Sequence, residues 1–143
     1  MTQPTWITDS NGNKCSIEYW LPIQGYRDSY EVSTAGTIRS RDRVNVNRKG
    51  IRRFLRGKSL KPSIDSEGYY EVGLFRDGKE VKSRIHRLVA LAFVKNPLGK
   101  PLVDHINRDR LDSSVANLRW VSHAENRANS IQSSRILAAK SEP

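Results

Sequence analysis

The fold is decided by residues 102–129, which read LVDHINRDRLDSSVANLRWVSHAENRAN. Leu102–Ile106 and Asn117–Val121 are short apolar-rich runs typical of β-strands, and a polar loop separates them. Ser122 and Glu125 form a Ser-x-x-Glu capping box, a pattern that marks the start of a helix. The stretch therefore predicts two strands followed by a helix.

A hairpin and a helix precede this stretch. Asp77-Gly78 lies between the runs Tyr69–Arg76 and Lys79–Ile85, and this dipeptide favours a two-residue turn between antiparallel strands. With that turn, the strand residues pair in a register that keeps their apolar side chains on one face. The apolar spacing then changes to a helical period over Ile85–Val94. Asn96-Pro97 is predicted to end this helix.

The N-terminal part is rich in predicted strands. Tyr30–Ser33 and Thr37–Arg41 flank a short turn, and we expect a hairpin whose Val32 and Ile38 face inward. Residues 1–17 are polar and turn-rich, and they are predicted to be a flexible lead-in.

The order of these elements predicts an α+β fold. A small N-terminal antiparallel β-sheet module comes first, and a core of two strands and a helix follows. We place the β module at residues 18–61 and the second domain at residues 62–143, with its core at about 100–135. The last helix is expected to continue to about Ala139.

Length and composition narrow the class of protein. The chain has 143 residues and a formal net charge of +10, which favours one domain, or one with a small appended module. Its single cysteine, Cys15, excludes an internal disulfide and a zinc site built on several thiolates. The longest unbroken apolar run, Leu88–Val94, is too short to span a bilayer, and the N-terminus shows no secretory signal. We therefore predict an intracellular protein with no membrane partner.

The excess positive charge is concentrated in residues 39–61, which carry a net charge of +9. Apolar residues alternate with the cations there, which indicates partial order rather than a disordered arm or a merely solvated face. Arginine forms bidentate hydrogen bonds with phosphate oxygens and with the edges of guanine bases, so we predict that this segment contacts nucleic acid. Its basic residues are Arg39, Arg41, Arg43, Arg48, Lys49, Arg52, Arg53, Arg56, Lys58 and Lys61.

Four polar side chains in the deciding stretch match the needs of phosphodiester hydrolysis. His105 has an imidazole side chain, which can take a proton from water at working pH. A carboxamide, such as that of Asn117, can accept a hydrogen bond from the N–H of the imidazole. A hard divalent cation can be held by one carboxylate and one carboxamide, and Asp104, Asn117 and Asn126 supply groups of these types. A structural Asp-His pair beside a turn, with Asn117 capping that turn, stays open on spacing alone.

Two stretches of the chain resemble a known family. Residues 86–129, HRLVALAFVKNPLGKPLVDHINRDRLDSSVANLRWVSHAENRAN, closely resemble the HNH endonucleases of the His-Me finger (ββα-metal) superfamily, and most of all their phage homing-endonuclease branch. Residues 18–40, EYWLPIQGYRDSYEVSTAGTIRS, resemble the NUMOD-type module that often precedes such nucleases. Their order along the chain matches the order in that family.

The resemblance implies roles for the four residues. His105 is implied to be the general base that Asn117 orients, and Asp104 and Asn126 are implied to be ligands of one divalent metal ion, Mg²⁺ or another such as Mn²⁺. Many members have histidine at the position of Asn126, so the ligand here is neutral and weaker.

The resemblance also implies the setting. It implies a metal-dependent DNA endonuclease, nicking or cutting both strands of double-stranded DNA, as a monomer or homodimer. A phage-encoded enzyme of this kind would act in the cytoplasm of the bacterial host. Larger phage members add a C-terminal helix-turn-helix, and only 14 residues follow Asn129, so we expect DNA reading to rest on the N-terminal sheet and the basic segment.

Further polar and aromatic residues receive more local predictions. His86 is predicted to be a packing histidine, and His123 a solvated residue in the first turn of the last helix. Arginines that flank the site are predicted to grip phosphates, namely Arg108, Arg110, Arg119 and Arg127. Core packing is predicted for Trp20, Tyr26 and Trp120.

Two other functions stay open. A non-catalytic DNA-binding protein or regulator could retain the same scaffold, although binding alone does not require the four polar residues. RNA is the other substrate that the net charge allows.

Overall fold

The computed structural model describes residues 6–8, 12, 14–26 and 29–130. Its strands are β1 (Trp6–Thr8), β2 (Lys14–Ser16), β3 (Trp20–Pro22), β4 (Tyr30–Ser33), β5 (Ile38–Ser40), β6 (Arg43–Val46), β7 (Arg52–Leu55), β8 (Ser63–Ile64), β9 (Tyr70–Arg76), β10 (Lys79–Arg84), β11 (Leu102–His105) and β12 (Leu118–Val121). Helix α1 is Ile85–Phe93, a 3₁₀ turn covers Val115–Asn117, and residues 123–130 form the described part of helix α2.

All described strand pairs are antiparallel. They form the sheets β1–β2, β3–β4–β5, β6–β7, β8–β9–β10 and β11–β12. Small antiparallel sheets with few helices confirm the predicted α+β class. The described helices include none that is long and apolar enough to cross a membrane.

The β9–β10 hairpin has the register predicted from its turn. Leu74 pairs with Val81, and Val72 pairs with Ser83. Asp77 and Gly78 both have positive φ, 52° and 75°, which is the backbone conformation that a two-residue hairpin turn of this kind requires. The strand ends at Arg84 and the helix begins at the next residue, so this hairpin leads directly into α1.

One hydrophobic core joins the two predicted domains. Val32 and Ile38, from the N-terminal sheet, are buried in the same cluster as Leu74, Val89 and Leu118. Helix α1 contacts β4, β9, β11 and β12, which places it at the centre of the molecule. The division at residues 61 and 62 stays a prediction, but the packing across it is continuous.

The N-terminal segment differs from its prediction. Where a flexible lead-in was expected, β1 and β2 pair from Trp6 with Ser16 to Thr8 with Lys14. The flexibility of residues 1–17 stays a prediction, and the described part of this segment contains paired strands. The stretch of the last helix beyond residue 130, including Ala139, lies outside the described residues.

The aromatic residues take different roles. Trp120 packs against the core as predicted, and its indole N–H donates to the carbonyl of Val94 at 3.0 Å. Tyr26 also packs against the core. Trp20 is half-buried instead, and the guanidinium of Arg39 lies 3.8 Å above its ring.

Candidate functional site

The site is built on β11, β12 and α2. In the β11–β12 pair, Asp104 lies opposite Arg119 and His105 lies opposite Leu118. His105 is buried at the end of β11, and the preceding Asp104 is half-buried. After β12 the amide of Glu125 donates to the Ser122 hydroxyl at 3.2 Å, which confirms this half of the predicted cap.

These elements enclose a cavity of about 680 Å³. Three of the four predicted residues line it together, namely Asp104, His105 and Asn126. The wall also contains Tyr69, Ile106, Arg108, Arg110, Arg119, Asn129 and Ser130. A carboxylate, an imidazole and carboxamides therefore meet in one concave site with three cations around it.

His105 is held neutral at ordinary pH by its surroundings. Only 5% of the residue is exposed, and burial lowers the pKa of its imidazole. The negative charges of Asp104, Asp112 and Asp109 oppose that shift, and Arg110 adds to it. The net effect is a pKa below the usual 6.5, so the ring is neutral at pH 7 and can accept a proton.

The predicted hydrogen bond from the His105 ring to Asn117 is wrong. The Asn117 Oδ1 accepts the amide of Asn107 at 2.9 Å, and its Nδ2 donates to the carbonyl of Asp112 at 2.9 Å. The Asn117 side chain thus holds together the loop that follows His105, from beneath the cavity rather than in its wall. Asn117 ends a buried 3₁₀ turn, one residue before the strand that pairs with β11, and from this position its side chain bonds the backbone of the loop.

Asp104 has the oxygen chemistry of a ligand for a hard cation. Its Oδ2 accepts Arg119 Nη2 at 2.8 Å, Arg119 Nε at 3.0 Å and Asn129 Nδ2 at 3.2 Å. The described residues contain no cluster of three or more His, Cys, Asp or Glu side chains that could hold a metal. One carboxylate beside the Asn126 carboxamide suits an ion that keeps several waters, as Mg²⁺ does, and does not suit a soft or zinc-type ion.

Four residues of the cavity were missed in the sequence, namely Tyr69, Ile106, Asn129 and Ser130, and two of them contact the side chains of Asp104 and His105. Asn129 lies three residues after Asn126, which places both carboxamides on one face of α2, and this spacing was a signal that could have found it. Tyr69 precedes β9, and its ring stacks on His105 with 5.7 Å between centroids. It is 36 residues away in the chain, and no local pattern connects the two.

The other two histidines lie where they were predicted. His86 is buried in α1, and its ring packs against those of Tyr69 and His105. Burial, followed by the nearby charges of His105, Arg84 and Arg87, lowers the pKa of His86 to about 4. His123 is exposed and does not line the cavity.

The predicted basic segment forms an exposed hairpin. Strands β6 and β7 pair from Arg43 with Leu55 to Val46 with Arg52, and we call residues 43–55 the basic ribbon. Its turn is closed by Asn47, whose Oδ1 accepts the amides of Lys49 and Ile51 at 2.9 and 3.0 Å.

The ten basic residues of the segment have two kinds of surroundings. Arg39 and Arg41 form ion pairs with Glu31, at 2.7 and 3.5 Å. The other eight are exposed, and in the described part of the chain they form no ion pair: Arg43, Arg48, Lys49, Arg52, Arg53, Arg56, Lys58 and Lys61. Arg127 is also exposed, whereas Arg119 is paired with Asp104.

Comparison with known proteins locates both halves of the chain in described families. Residues 18–75 match the NUMOD4 motif, and residues 83–128 match the HNH endonuclease family. The first match extends beyond residue 61 to β9, and the second contains all four predicted site residues.

Individual relatives agree with these matches. The chain is 31% identical to DNA endonuclease I-HmuI of Bacillus phage SP01, over 86% of this chain and 63% of that protein. It is 36% identical to uncharacterized HNH endonuclease L247 of Acanthamoeba polyphaga mimivirus, over 94% of this chain and 31% of that one. This chain thus spans less than two thirds of the length of either relative.

A solved structure shares the fold. The structure titled "DNA binding and cleavage by the HNH homing endonuclease I-HmuI" superposes with a TM-score of 0.64 at 32% identity, over 81% of this chain and 59% of that chain. Residues 83–128 therefore match the HNH endonuclease family, with a NUMOD4 motif ahead of them in residues 18–75.

Proposed function

We propose that this chain is a DNA endonuclease that hydrolyses phosphodiester bonds with His105 as the general base and one divalent metal ion. The observation that carries the proposal is the shared cavity, in which His105, Asp104 and Asn126 meet. The fold of a relative described as a DNA binding and cleaving enzyme supports it.

The chemistry follows from the surroundings of His105. Its Nε2 is buried without a hydrogen-bond partner in the described residues, so we propose that Nδ1 faces the attacking water and that the proton of the neutral ring is on Nε2. Nδ1 is then the nitrogen that accepts a proton from water. The lowered pKa leaves the ring ready for this step at neutral pH.

The metal ion is proposed to be held by Asp104 and Asn126, with waters and substrate oxygens as further ligands. HNH nucleases generally use a divalent metal. When bound, such an ion supplies positive charge for the phosphate and the leaving oxygen. Arg119 contacts Asp104 and lies in the cavity wall. From there it is proposed to bind a DNA phosphate next to the cleaved phosphodiester.

Duplex DNA is proposed to lie against the basic ribbon as well as the cavity. The eight unpaired cations supply attraction for the phosphates, which does not depend on sequence. Asn45 and Arg53 lie directly opposite each other in the ribbon, on one face. Both are of types that bond base edges, so this pair is proposed to contribute to sequence preference.

Cleavage of supercoiled plasmid tests the proposal. Wild-type protein with Mg²⁺ or Mn²⁺ is expected to convert the plasmid to open circles or linear DNA, and EDTA to prevent it. His105→Ala is expected to lose cleavage, whereas His123→Ala, which changes an exposed histidine outside the cavity, is expected to keep it. The ratio of open circles to linear DNA then distinguishes nicking from cutting of both strands.

The same assay separates the alternatives. A protein that binds DNA in a gel shift but cleaves neither plasmid nor phage genomic DNA would be a non-catalytic binding protein, and this outcome would overturn the proposal. Cleavage of RNA alone would assign the other substrate. Sedimentation of the protein with a DNA duplex decides between a monomer and a homodimer. We further propose a phage homing-type enzyme that acts in the bacterial cytoplasm, in keeping with its relative from phage SP01.

A further inference from the structure

Three rings from separate parts of the chain meet beneath the cavity. The ring centroids lie 4.8 Å apart for His86 and His105, 5.0 Å for Tyr69 and His86, and 5.7 Å for Tyr69 and His105. Each ring therefore touches the other two. Tyr69 comes from the part that matches the NUMOD4 motif, whereas His86 and His105 come from the part that matches the HNH family.

The orientation of the His105 ring needs a cause. A general base has to point one nitrogen at its water, and a hydrogen bond to the other nitrogen is the usual means. In the described ranges Nε2 has no such partner, and Asn117 uses its carboxamide on the loop backbone. Ring packing is the contact that remains. The Tyr69 ring lies at 28° to the imidazole and the His86 ring at 59°, so the two pack against it with different tilts.

Both supporting rings are themselves held in place. The Tyr69 amide donates to Asp65 Oδ1 at 3.0 Å, and the guanidinium groups of Arg84 and Arg110 lie 4.5 and 5.2 Å from its ring centre. His86 is 5% exposed in α1. Its Nδ1 is buried without a partner in the described residues, an arrangement that destabilises a fold and that an apolar side chain would avoid.

We propose that Tyr69 and His86 are positioning residues that clamp the imidazole of His105 by ring packing, in place of a hydrogen bond. This inference rests on the proposed function, since it assigns the clamp to the general base. It gives the NUMOD4 part of the chain a role in the chemistry of the HNH site through Tyr69. The part that Tyr69 plays needs its ring and not its hydroxyl group.

Single-turnover cleavage with saturating plasmid tests the clamp. Tyr69→Leu is expected to lower the rate about tenfold or more and to leave the Kd for DNA within about twofold. Tyr69→Phe keeps the ring and is expected to keep the rate within about twofold. Tyr70→Leu is the matched control, because the neighbouring Tyr70 side chain packs against the hydrophobic core instead. His86→Leu is expected to act as Tyr69→Leu does, with folding checked by circular dichroism.

A double-mutant cycle distinguishes positioning from general damage. In the His105→Ala background, Tyr69→Leu has nothing left to position, so the residual rate is expected to stay unchanged. A further tenfold loss in that background would overturn the inference, as would equal losses for Tyr69→Phe and Tyr69→Leu. A loss of DNA binding that matches the loss of rate would also overturn it.

A readout without activity separates this inference from the proposed function. NMR relaxation of the ring C–H groups reports the order of the His105 imidazole. We expect the order to fall in Tyr69→Leu and to persist in Tyr69→Phe and Tyr70→Leu. If wild-type protein cleaves nothing but this pattern holds, the clamp stands and the proposed function fails. If wild-type protein cleaves and the order does not change, the clamp fails and the function stands.

Discussion

The basic ribbon and the HNH cavity differ in the solvent exposure of their residues and in the partners of their polar groups. In the ribbon, even apolar side chains are open to solvent, with Val44 49% and Phe54 62% exposed, and the cations around them are unpaired in the described residues. In the cavity region, His105 and Asn117 are 5% and 7% exposed, and hydrogen bonds or ring contacts surround them.

The difference reflects two kinds of task. Attraction between charges acts over several ångströms and tolerates movement of long side chains. A binding surface therefore depends more on the number and spacing of its charges than on rigid side chains. General-base catalysis requires one nitrogen at hydrogen-bond distance from one water, so its side chain has to be fixed by neighbours. Substitutions in the two regions are therefore expected to separate binding from chemistry.

The largest effect is expected from the general base. His105→Ala is expected to lower the rate of cleavage by a factor on the order of 10²–10⁴, since the reaction then has no side chain to accept the proton of the attacking water. The Kd for DNA is expected to stay within about twofold, because the ribbon is untouched. Plasmid cleavage and gel shifts measure the two quantities. Equal losses of cleavage and binding would contradict the separation of roles.

The reverse pattern is expected from the ribbon. Changing Arg43, Arg48, Lys49, Arg52 and Arg53 to glutamine is expected to flatten the log–log salt dependence of DNA binding by a few units, at about 0.9 for each phosphate that the variant no longer neutralises. The single-turnover rate at saturating DNA is expected to persist. Fluorescence anisotropy over a range of salt concentrations measures the slope.

A control for the ribbon uses exposed lysines elsewhere. Glutamine in place of Lys79, Lys82 and Lys95 is expected to leave the salt slope unchanged. An equal change in slope per charge removed would show that binding depends on net charge and not on the ribbon.

The buried His86 predicts a pH dependence of stability. Its folded pKa of about 4 lies below the value near 6.5 of an exposed histidine, so between these values only the unfolded chain binds the proton. The free energy of unfolding is therefore expected to fall as the pH falls from 6.5 to 4, by about 3 kcal/mol in total. Urea denaturation at several pH values measures this.

A matched pair isolates the contribution of His86. His86→Phe keeps a ring but does not titrate, so its stability is expected to fall less steeply with acid than that of the wild type. His123→Ala removes an exposed histidine and is expected to keep the full slope. Identical slopes for the wild type and His86→Phe would assign the acid sensitivity to other groups.

The smallest of these effects separates two asparagines. Asn117→Ala leaves the Asn107 amide and the Asp112 carbonyl without their partner, so we expect a loss of about 1–3 kcal/mol in the free energy of unfolding. Asn126→Ala is expected to change stability by less than about 0.5 kcal/mol. It is expected to lower metal-dependent cleavage by less than His105→Ala does, because Asn126 is a neutral and weaker ligand. Thermal unfolding and plasmid cleavage together give both values. A stability loss in Asn126→Ala as large as that in Asn117→Ala would contradict the assignment.

Local patterns predicted much of the fold. The Asp77-Gly78 turn predicted the β9–β10 register, and the Ser-x-x-Glu box predicted the start of α2, because both depend on residues that are close in the chain. The exposed ribbon was expected only as partly ordered. The pairing of β1 with β2 was missed, since short strands give little periodic signal.

The site was predicted where it is compact in sequence. Asp104, His105 and Asn126 do line one cavity, and adjacency along one strand and the next helix accounts for this. The hydrogen bonds of Asn117 were predicted incorrectly, and those of Asp104 were not predicted. A carboxamide has both donors and acceptors, so its partners depend on the geometry of the loop.

By itself the sequence determined the α+β class, the strand–strand–helix order of the site and the concentration of charge in one segment. These follow from turn chemistry, apolar periodicity and composition, which are local properties. Only the tertiary structure decided that Tyr69 reaches His105, and that α1 joins both halves of the chain in one core. Contacts between distant residues depend on how whole elements pack, and packing is set by the shapes of many side chains at once.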